Sequence, residues 1–269
     1  MRQSLNERYM MLSAENKIHH QLLGAQVLNY QDFFYLSPIV LSAEHPRRGG
    51  VPILFPQFAD RGSLRKHGFV RDVVWKMVFH QREAYSEHLR YELNLTSNNL
   101  NHWPYKVFIQ LDVVAKLKSI TFSLTIKNLG DAEFVWTGGF HPYFKIENLM
   151  TVKIDGLMGC GIENKYRPEQ SHHSEQYLFF DEGPCESLFL SNSNLVIHDD
   201  EKTFYLSSEG FSEWMIWNPG KAGVKDFSDI PHEDWAKFLC VEPVNANQTQ
   251  LVKAADQFMG DFTVHREIA

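Results

Sequence analysis

The side chains of this sequence that are best suited to proton transfer are a histidine and a glutamate far apart in the chain. His141 lies in Thr137-Gly-Gly-Phe-His-Pro-Tyr-Phe144, directly after two glycines and an aromatic residue. Glu242 follows the apolar run Phe238-Leu-Cys-Val and precedes a proline. Imidazole has an ordinary pKa of about 6.5, and partial burial raises the pKa of a carboxylate, so the two residues are candidates for a general acid and a general base. A core histidine and a surface glutamate are the alternative interpretations.

Positive charge concentrates between residues 45 and 72 of a chain whose formal net charge is −7. Gly49-Gly50 and Gly68 would let the backbone approach a ligand closely, and a second histidine, His67, precedes Gly68. Guanidinium groups match phosphate oxygens bidentately, so the segment predicts an anion-binding site, with a solvated basic loop as the alternative. Its basic residues are Arg47, Arg48, Arg61, Arg65, Lys66 and Arg71.

Period-two alternation predicts the strands that must position these residues. Apolar and polar residues alternate through 89–95, 107–113 and 119–127, and polar turns separate the three segments. Such alternation is typical of strands with one buried face, and consecutive strands of this kind favour an antiparallel meander. Further short apolar runs lie at 69–79, 133–137, 151–154, 177–180, 188–190, 195–198, 203–207, 213–217, 238–241 and 262–265.

Long amphipathic helical patterns are scarce in the chain. Many short strands at roughly ten-residue spacing are typical of all-β proteins. No low-complexity linker, internal repeat or block of like charge divides the sequence. The sequence therefore predicts an all-β fold, a large antiparallel β-sandwich with few short helices, formed as a single domain over residues 1–269.

Composition excludes several classes of function. Hydrophobic residues make up 43% and charged residues 22% of the chain, as in globular proteins with a packed core. The net negative charge offers no general attraction for nucleic acid or anionic lipid, and no apolar run is long enough to span a membrane. Cys160, Cys185 and Cys240 form no disulfide or zinc pattern, and no HExxH or HxH spacing occurs. We therefore expect a cytoplasmic protein with no metal, no other cofactor, and no nucleic-acid or membrane partner.

Six short motifs between residues 48 and 242 carry a family resemblance. They are Arg48-Gly-Gly-Val-Pro52, Phe55-Pro-Gln-Phe58, His67-Gly-Phe-Val-Arg71, His141-Pro-Tyr-Phe144, Trp217-Asn-Pro219 and Leu239-Cys-Val-Glu242. Each is weak alone, but in this order they resemble the glucose-6-phosphate 1-epimerases, or hexose-6-phosphate mutarotases, of the aldose 1-epimerase and galactose mutarotase-like superfamily. The resemblance implies a galactose mutarotase-like supersandwich. It also implies cofactor-free interconversion of the α and β anomers of a hexose 6-phosphate, with glucose 6-phosphate as the expected substrate.

The resemblance further implies roles for individual residues. Glu242 matches the catalytic base and His141 the catalytic acid. The remaining matches bind the substrate: one histidine near the ring oxygen, two arginines on the phosphate and two neighbours of the sugar. These are, in that order, His67, then Arg48 and Arg71, then Gln57 and Asp229.

The chain departs from the family pattern in three places. Glu186-Ser187 stands where relatives carry an Asp-Arg pair, and Gly220 stands where a tryptophan is usual. Segment 221–234 holds an extra residue or two, so either Asp226 or Asp229 could be the counterpart of the family's aspartate. These departures bear on which sugar binds more than on the type of reaction.

Three alternatives stay open from the sequence. A non-catalytic carbohydrate-binding module would use Trp214, Trp217 and Trp235 as stacking platforms, although large aromatic residues more often form the core. A hydrolase would need a second carboxylate, from segment 221–234, about 5–10 Å from Glu242. The third is an aldose 1-epimerase acting on an unphosphorylated sugar. As partners we expect a small-molecule sugar phosphate only, with the chain a monomer or a weak homodimer.

Overall fold

The computed structural model describes residues 17–42, 45–96, 103–200 and 202–268, and strands dominate this part of the chain. One short α-helix, α1 (Gly220–Gly223), and the 3-10 helices Val70–Asp72, Val224–Asp226 and His232–Ala236 are its helical elements. None of these helices has the length and apolar character needed to cross a bilayer. The prediction of an all-β fold is confirmed. In chain order the strands are β1 (His19–His20), β2 (Val27–Asn29), β3 (Ile53–Leu54), β4 (Lys76–Arg82), β5 (Ser86–Leu95), β6 (Val107–Lys116), β7 (Ser119–Asn128), β8 (Phe134–Phe140), β9 (Tyr143–Lys145), β10 (Lys153–Asp155), β11 (Ile162–Asn164), β12 (Tyr177–Phe179), β13 (Cys185–Phe189), β14 (Leu195–Asp199), β15 (Lys202–Glu209), β16 (Glu213–Asn218), β17 (Phe238–Val252) and β18 (Gln257–Ile268).

Nine strands form the larger sheet, in the order β12-β10-β14-β15-β18-β7-β6-β5-β4. The predicted meander is confirmed, because β5, β6 and β7 are adjacent and antiparallel, with Tyr91 opposite Leu111 and Leu111 opposite Leu124. In these three strands nearly every second residue is buried. This is the alternation that identifies them in the sequence, because one face packs on the core and the other is wetter.

Seven strands form the smaller sheet, in the order β11-β13-β16-β17-β8-β3, with β9 also paired to β17. The long strand β17 lies at its centre and pairs with β16 on one side and with β8 and β9 on the other. The pairs Val244–Gly139 and Cys240–Tyr143 belong to one antiparallel register that runs through both β8 and β9. The short link between β8 and β9 therefore stays beside β17.

Aromatic side chains pack between the inner faces of the two sheets. Phe140 of the smaller sheet lies 5.6 Å from Phe122 of the larger one, measured between ring centroids. Trp214 lies 6.2 Å from Phe262, and Phe262 stacks on Phe122 at 5.9 Å. All four rings are buried. These contacts confirm the sandwich and place Trp214 in its core rather than on a sugar-binding surface.

One apolar run predicted as a strand folds differently. Within 69–79 the chain forms the 3-10 helix Val70–Asp72, and β4 begins only at Lys76. The indole N–H of Trp75 donates to the Val70 carbonyl at 3.0 Å and ties the ends of this turn together. Val70 and Trp75 are both buried, so the apolar residues here belong to a packed turn.

A left-handed backbone at Gly68 sets the path of the basic segment. Gly68 has φ +69°, and a Cβ added there would lie 2.0 Å from the carbonyl oxygen of Phe55. The Phe69 N–H donates to that same oxygen at 3.0 Å. Only glycine permits this close approach, so the turn fixes the position of the preceding His67.

We expect Gly68→Ala to destabilise the protein by more than the roughly 1–2 kcal/mol of a left-handed backbone alone, because the new methyl group meets the Phe55 carbonyl. Gly159→Ala is the matched control, since Gly159 has φ +79° but no atom within 4 Å of an added Cβ. In urea unfolding, the free energy of unfolding should fall further for Gly68→Ala than for Gly159→Ala. Equal losses would contradict the role of the close approach.

Candidate active site

A cavity of about 450 Å³ opens on the smaller sheet. Its wall is formed by side chains of β9, β16 and β17, by the basic segment 45–72 and by segment 219–227. Its volume lies within the range of about 300–1,000 Å³ that is common for small-molecule sites. Five residues predicted from the sequence line it: His141, Glu242, His67, Arg48 and Arg71.

The predicted acid and base meet in this cavity. Continuing the register of Cys240 with Tyr143 by two residues places His141 opposite Glu242. His141 Nε2 lies 3.4 Å from Glu242 Oε1, and the residues are only 7% and 1% exposed. The backbone N–H of His141 donates to the Pro52 carbonyl at 2.9 Å, which anchors the chain at this position. Two proton-transfer groups therefore face one small space.

Burial shifts the pKa values of these two groups in opposite directions. Loss of water, with a smaller effect from the negative charge of Glu186, raises the pKa of Glu242 well above its ordinary value. Loss of water, with smaller effects from three neighbouring basic residues, lowers the pKa of His141 well below its ordinary value. A carboxylate with a raised pKa is a stronger base, and an imidazolium with a lowered pKa is a stronger acid. Burial thus makes the carboxylate and the imidazolium more reactive, although it also lowers the fraction of each group that carries its charge.

Each of the two side chains also has a polar atom without a protein partner. Glu242 Oε2 and His141 Nδ1 are buried and make no hydrogen bond within the described residues. Leaving such an atom unmet costs about 1–3 kcal/mol, and native folds keep few of them. Two in one cavity indicate a site that a ligand completes.

His67 is placed to act as a neutral hydrogen-bond donor. Its Nδ1 accepts from the Ala59 N–H at 3.3 Å, which leaves the ring proton on Nε2. Burial, with smaller effects from neighbouring arginine and lysine side chains, lowers the pKa of His67 to about 3. Its ring lies 5.5 Å from that of His141. A neutral imidazole here can donate to a sugar oxygen.

Three partners hold Arg48 at the cavity wall. Its Nε donates to Asp229 Oδ2 at 2.9 Å, and its Nη1 donates to Tyr143 Oη at 3.1 Å. Its guanidinium carbon lies 5.3 Å from the centre of the Phe227 ring. Tyr143 in turn stacks on His141, with ring centroids 4.8 Å apart and planes inclined by 8°. The positions of Arg48 and of the acid are therefore coupled through Tyr143.

Arg71 and Lys66 are the cavity cations with uncommitted charge. Both line the cavity, and within the described part of the chain neither makes an ion pair. Arg71 Nε is buried without a hydrogen-bond partner there. By contrast Lys165, another lining residue, pairs with Glu186 at 2.7 Å. Arg71 Nη2 donates to the Lys66 carbonyl at 3.5 Å, but the charges of Arg71 and Lys66 are not paired with a carboxylate and so could attract an anion that enters the cavity.

Two of the predicted sugar neighbours lie outside the cavity wall. The Gln57 side chain is buried, where its Nε2 donates to the Leu64 carbonyl and its Oε1 accepts from the Leu64 N–H, each at 2.9 Å. Gln57 therefore holds the basic segment in shape. Asp229 pairs with Arg48, whereas Asp226 of the same segment lines the cavity, as does Glu186.

The sequence interpretation missed Tyr143, Lys165 and Tyr166 as residues of the site. All three line the cavity. Tyr143 could have been found from the sequence, because it follows His141 by two positions. In extended chain, residues two positions apart lie on the same face. Lys165 and Tyr166 lie in an ordinary polar turn after β11, and no local pattern marks them.

Comparison with known proteins identifies the family of the chain. The family model described as "Aldose 1-epimerase" matches residues 12–264. The chain belongs to the aldose 1-epimerase family. It is therefore an epimerase, which interconverts the anomers of an aldose, and the resemblance found in its motifs is confirmed. Because this family is one of enzymes, the alternative of a non-catalytic carbohydrate-binding module is excluded.

Several relatives of this epimerase match over most of their length. A protein of Cenchrus ciliaris named "Putative glucose-6-phosphate 1-epimerase" is 23% identical over 256 residues, covering 89% of this chain and 78% of its own. A protein of the same name from Salmonella typhimurium is 26% identical over 244 residues, covering 87% and 81%. The crystal structure of a Salmonella typhimurium protein described as a "putative mutarotase" has a TM-score of 0.83 at 23% identity, covering 93% and 86%. The epimerase thus has the mutarotase fold that its motifs predict.

We expect Asp229 to act through Arg48 rather than on the sugar. Asp229→Asn should lower kcat/KM for anomer exchange by about tenfold, because it removes a charge-assisted hydrogen bond that holds the guanidinium. In an Arg48→Met background the same change should have almost no further effect. Additive losses in the double variant would show instead that Asp229 contacts the substrate directly.

Proposed function

We propose that this epimerase interconverts the α and β anomers of a hexose 6-phosphate, with glucose 6-phosphate as the substrate. One observation carries the proposal: the Glu242–His141 pair shares its cavity with Arg48, Arg71 and Lys66. The first pair suits the opening of a hemiacetal, and the cations suit a phosphate. The names of the relatives from Cenchrus ciliaris and Salmonella typhimurium support the same substrate.

The proposed reaction begins with two proton transfers. Glu242 removes the proton of the anomeric hydroxyl while His141, as the imidazolium, delivers a proton to the ring oxygen. The bond between the ring oxygen and C1 breaks, and the open aldehyde forms. Each positioned acid or base typically contributes about 10²–10⁴-fold to the rate.

Ring closure restores the starting state of the enzyme. Rotation about the C1–C2 bond presents the other face of the aldehyde to the sugar hydroxyl. The protonated Glu242 then returns its proton to the new anomeric oxygen, and neutral His141 accepts the proton of the attacking hydroxyl. The pair holds one transferable proton before and after the cycle, so the enzyme needs no external acid or base.

The phosphate lies on C6, away from the bonds that change, so its contacts act on binding and orientation. Charge-assisted hydrogen bonds from the cavity cations contribute about 1.5–3 kcal/mol each. His67, neutral and with a free Nε2–H, would donate to an oxygen of the ring. Trp217 and Phe227, which also line the cavity, would pack against the apolar face of the sugar.

Exchange spectroscopy by NMR on equilibrated sugars tests this function directly. The enzyme should speed the exchange of the anomeric protons of glucose 6-phosphate far more than that of glucose at the same concentration. Equal acceleration of both sugars would make the enzyme an epimerase for unphosphorylated aldoses. Acceleration of glucose alone would exclude the phosphate site.

We also infer that the enzyme works in the cytoplasm, as a monomer or a weak homodimer. All three of its cysteines are free thiols, which suits a reducing compartment. Sedimentation over a range of protein concentrations would measure the state of assembly.

Glu242→Gln should abolish anomer exchange, with kcat falling at least about 10²-fold. Glutamine keeps the shape of the side chain but cannot accept the proton. Glu186→Gln, which neutralises another carboxylate of the same cavity, is the matched control and should keep most of the rate. Urea unfolding would show that both variants are folded. Retention of more than about a tenth of the rate by Glu242→Gln would remove Glu242 as the base.

Arg71→Ala should raise KM for glucose 6-phosphate by roughly tenfold or more with little change in kcat, because the lost contact is made before and during the reaction alike. Its KM for glucose should not change. Arg65→Ala is the control, since Arg65 belongs to the same segment but pairs with Asp72 at 2.9 Å. If Arg65→Ala and Arg71→Ala raised KM equally, the effect would come from general charge and not from a phosphate contact.

A further inference from the structure

Cys240 is a buried thiol that the proposed proton transfers do not use. It precedes Glu242 by two positions on β17, so the two side chains leave the same face of the strand. Cys240 is fully buried, in an apolar cluster that includes Tyr143 and Phe238. A ring nitrogen of His141, a carboxylate oxygen of Glu242 and the Sγ of Cys240 all lie within 4.8 Å of one another.

The three donor types match those of zinc sites. Zinc lies about 2.0–2.3 Å from imidazole, carboxylate and thiolate ligands, so the ligand atoms of a tetrahedral site are about 3.3–3.7 Å apart. His141 Nε2 and Glu242 Oε1 already lie 3.4 Å apart. The widest separation in the group must close by only about 1 Å to complete the geometry.

A second observation indicates that the carboxylate lacks a partner. Glu242 Oε2, the other oxygen of the same carboxylate, is buried and has no hydrogen-bond partner among the described residues. Buried polar atoms are normally satisfied, and a bound cation is one way to satisfy a carboxylate. Glu242 and His141 line the cavity, so an ion has a path of entry to them.

We propose that His141, Cys240 and Glu242 form a binding site for a soft divalent cation such as Zn²⁺, and that the bound ion inhibits the enzyme. The ion bonds to one atom of each side chain, and the thiol proton passes to solvent as the thiolate forms. Three protein ligands leave a fourth tetrahedral position toward the cavity, where water binds and takes the place of the sugar. With their lone pairs on the metal, Glu242 and His141 can no longer exchange protons with a sugar.

The types of donor atom decide which divalent ions bind. Arg48, Arg71 and Lys66 repel any cation, whereas the thiolate and the carboxylate supply two negative charges at the ligand positions. Mg²⁺ prefers oxygen ligands, keeps its waters and gains little from a thiolate. Zn²⁺ gains from all three donors. A preference for Zn²⁺ over Mg²⁺ would therefore distinguish a site with three defined ligands from non-specific electrostatic attraction.

Isothermal titration calorimetry of the full-length enzyme, freed of metal by a chelator, tests the site without any substrate. Zn²⁺ should bind once per chain, and Mg²⁺ should not compete with it. Cys240→Ser should weaken Zn²⁺ binding by at least about tenfold. Cys185→Ser is the matched control, because the Cys185 thiol instead faces Ser187 and the Ile216 carbonyl, and it should leave binding unchanged.

A spectroscopic probe identifies the ligand atoms. Co²⁺ bound in the same site should show the near-ultraviolet charge-transfer absorption of a cobalt–thiolate bond, and Cys240→Ser should abolish it while Cys185→Ser keeps it. This spectrum of the native protein tests the thiolate even if Cys240→Ser fails to fold, and Cys240→Ala provides a second variant. A cobalt spectrum without thiolate absorption would overturn the proposal.

Kinetics connect the site to function. Zn²⁺ should inhibit anomer exchange in competition with the sugar, whereas Cys240→Ser should keep its activity in chelated buffer and resist Zn²⁺. Equal Zn²⁺ affinity in the native protein and in Cys240→Ser, or displacement of Zn²⁺ by Mg²⁺, would also refute the site. Because binding is measured without substrate, these results stand apart from whether a hexose 6-phosphate is the substrate.

Discussion

The burial of Glu242 against His141 is the constraint on which the rest of the active site depends. Loss of water is the largest cause of both pKa shifts, and it acts on the two groups in opposite directions because one gains and the other loses charge on protonation. A wetter cavity would weaken the base and the acid together. The wall of aromatic and basic side chains around the pair is therefore part of the chemistry, since burial makes the carboxylate a stronger base and the imidazolium a stronger acid.

The smaller sheet holds these polar groups away from water, and this burial lowers its stability. On β17, Leu239 and Val241 pack into the core between the sheets, whereas Cys240 and Glu242 face the other way. Hydrogen-bonded strands on both sides of β17 prevent it from shifting to give the Glu242 carboxylate another hydrogen-bond partner. The buried aromatic rings that join the two sheets supply the stability that an unsatisfied acid and base remove.

The sequence predicts much of the fold and only part of the site, for a physical reason. The meander at β5, β6 and β7 is visible because one face of each strand is wetter, whereas the first nine residues of β17 are all buried and show no alternation. The proposed acid and base and the neighbouring His67 can be picked out from the motifs around them. The roles of Gln57 and Asp229 are not, because they depend on side-chain partners: the Arg48–Asp229 pair joins residues 181 positions apart.

Sequence-spacing rules for metal and catalytic residues find nothing here, because this site lies on a β-sheet. Motifs such as HExxH work because a helix brings positions i and i+4 to one face, whereas a strand brings i and i+2 to one face. Two such pairs lie side by side at this site, His141 with Tyr143 and Cys240 with Glu242. One antiparallel register places Cys240 opposite Tyr143 and hence Glu242 opposite His141. Each pair is unremarkable in the sequence, and only the register between strands, a long-range property, brings the four side chains together.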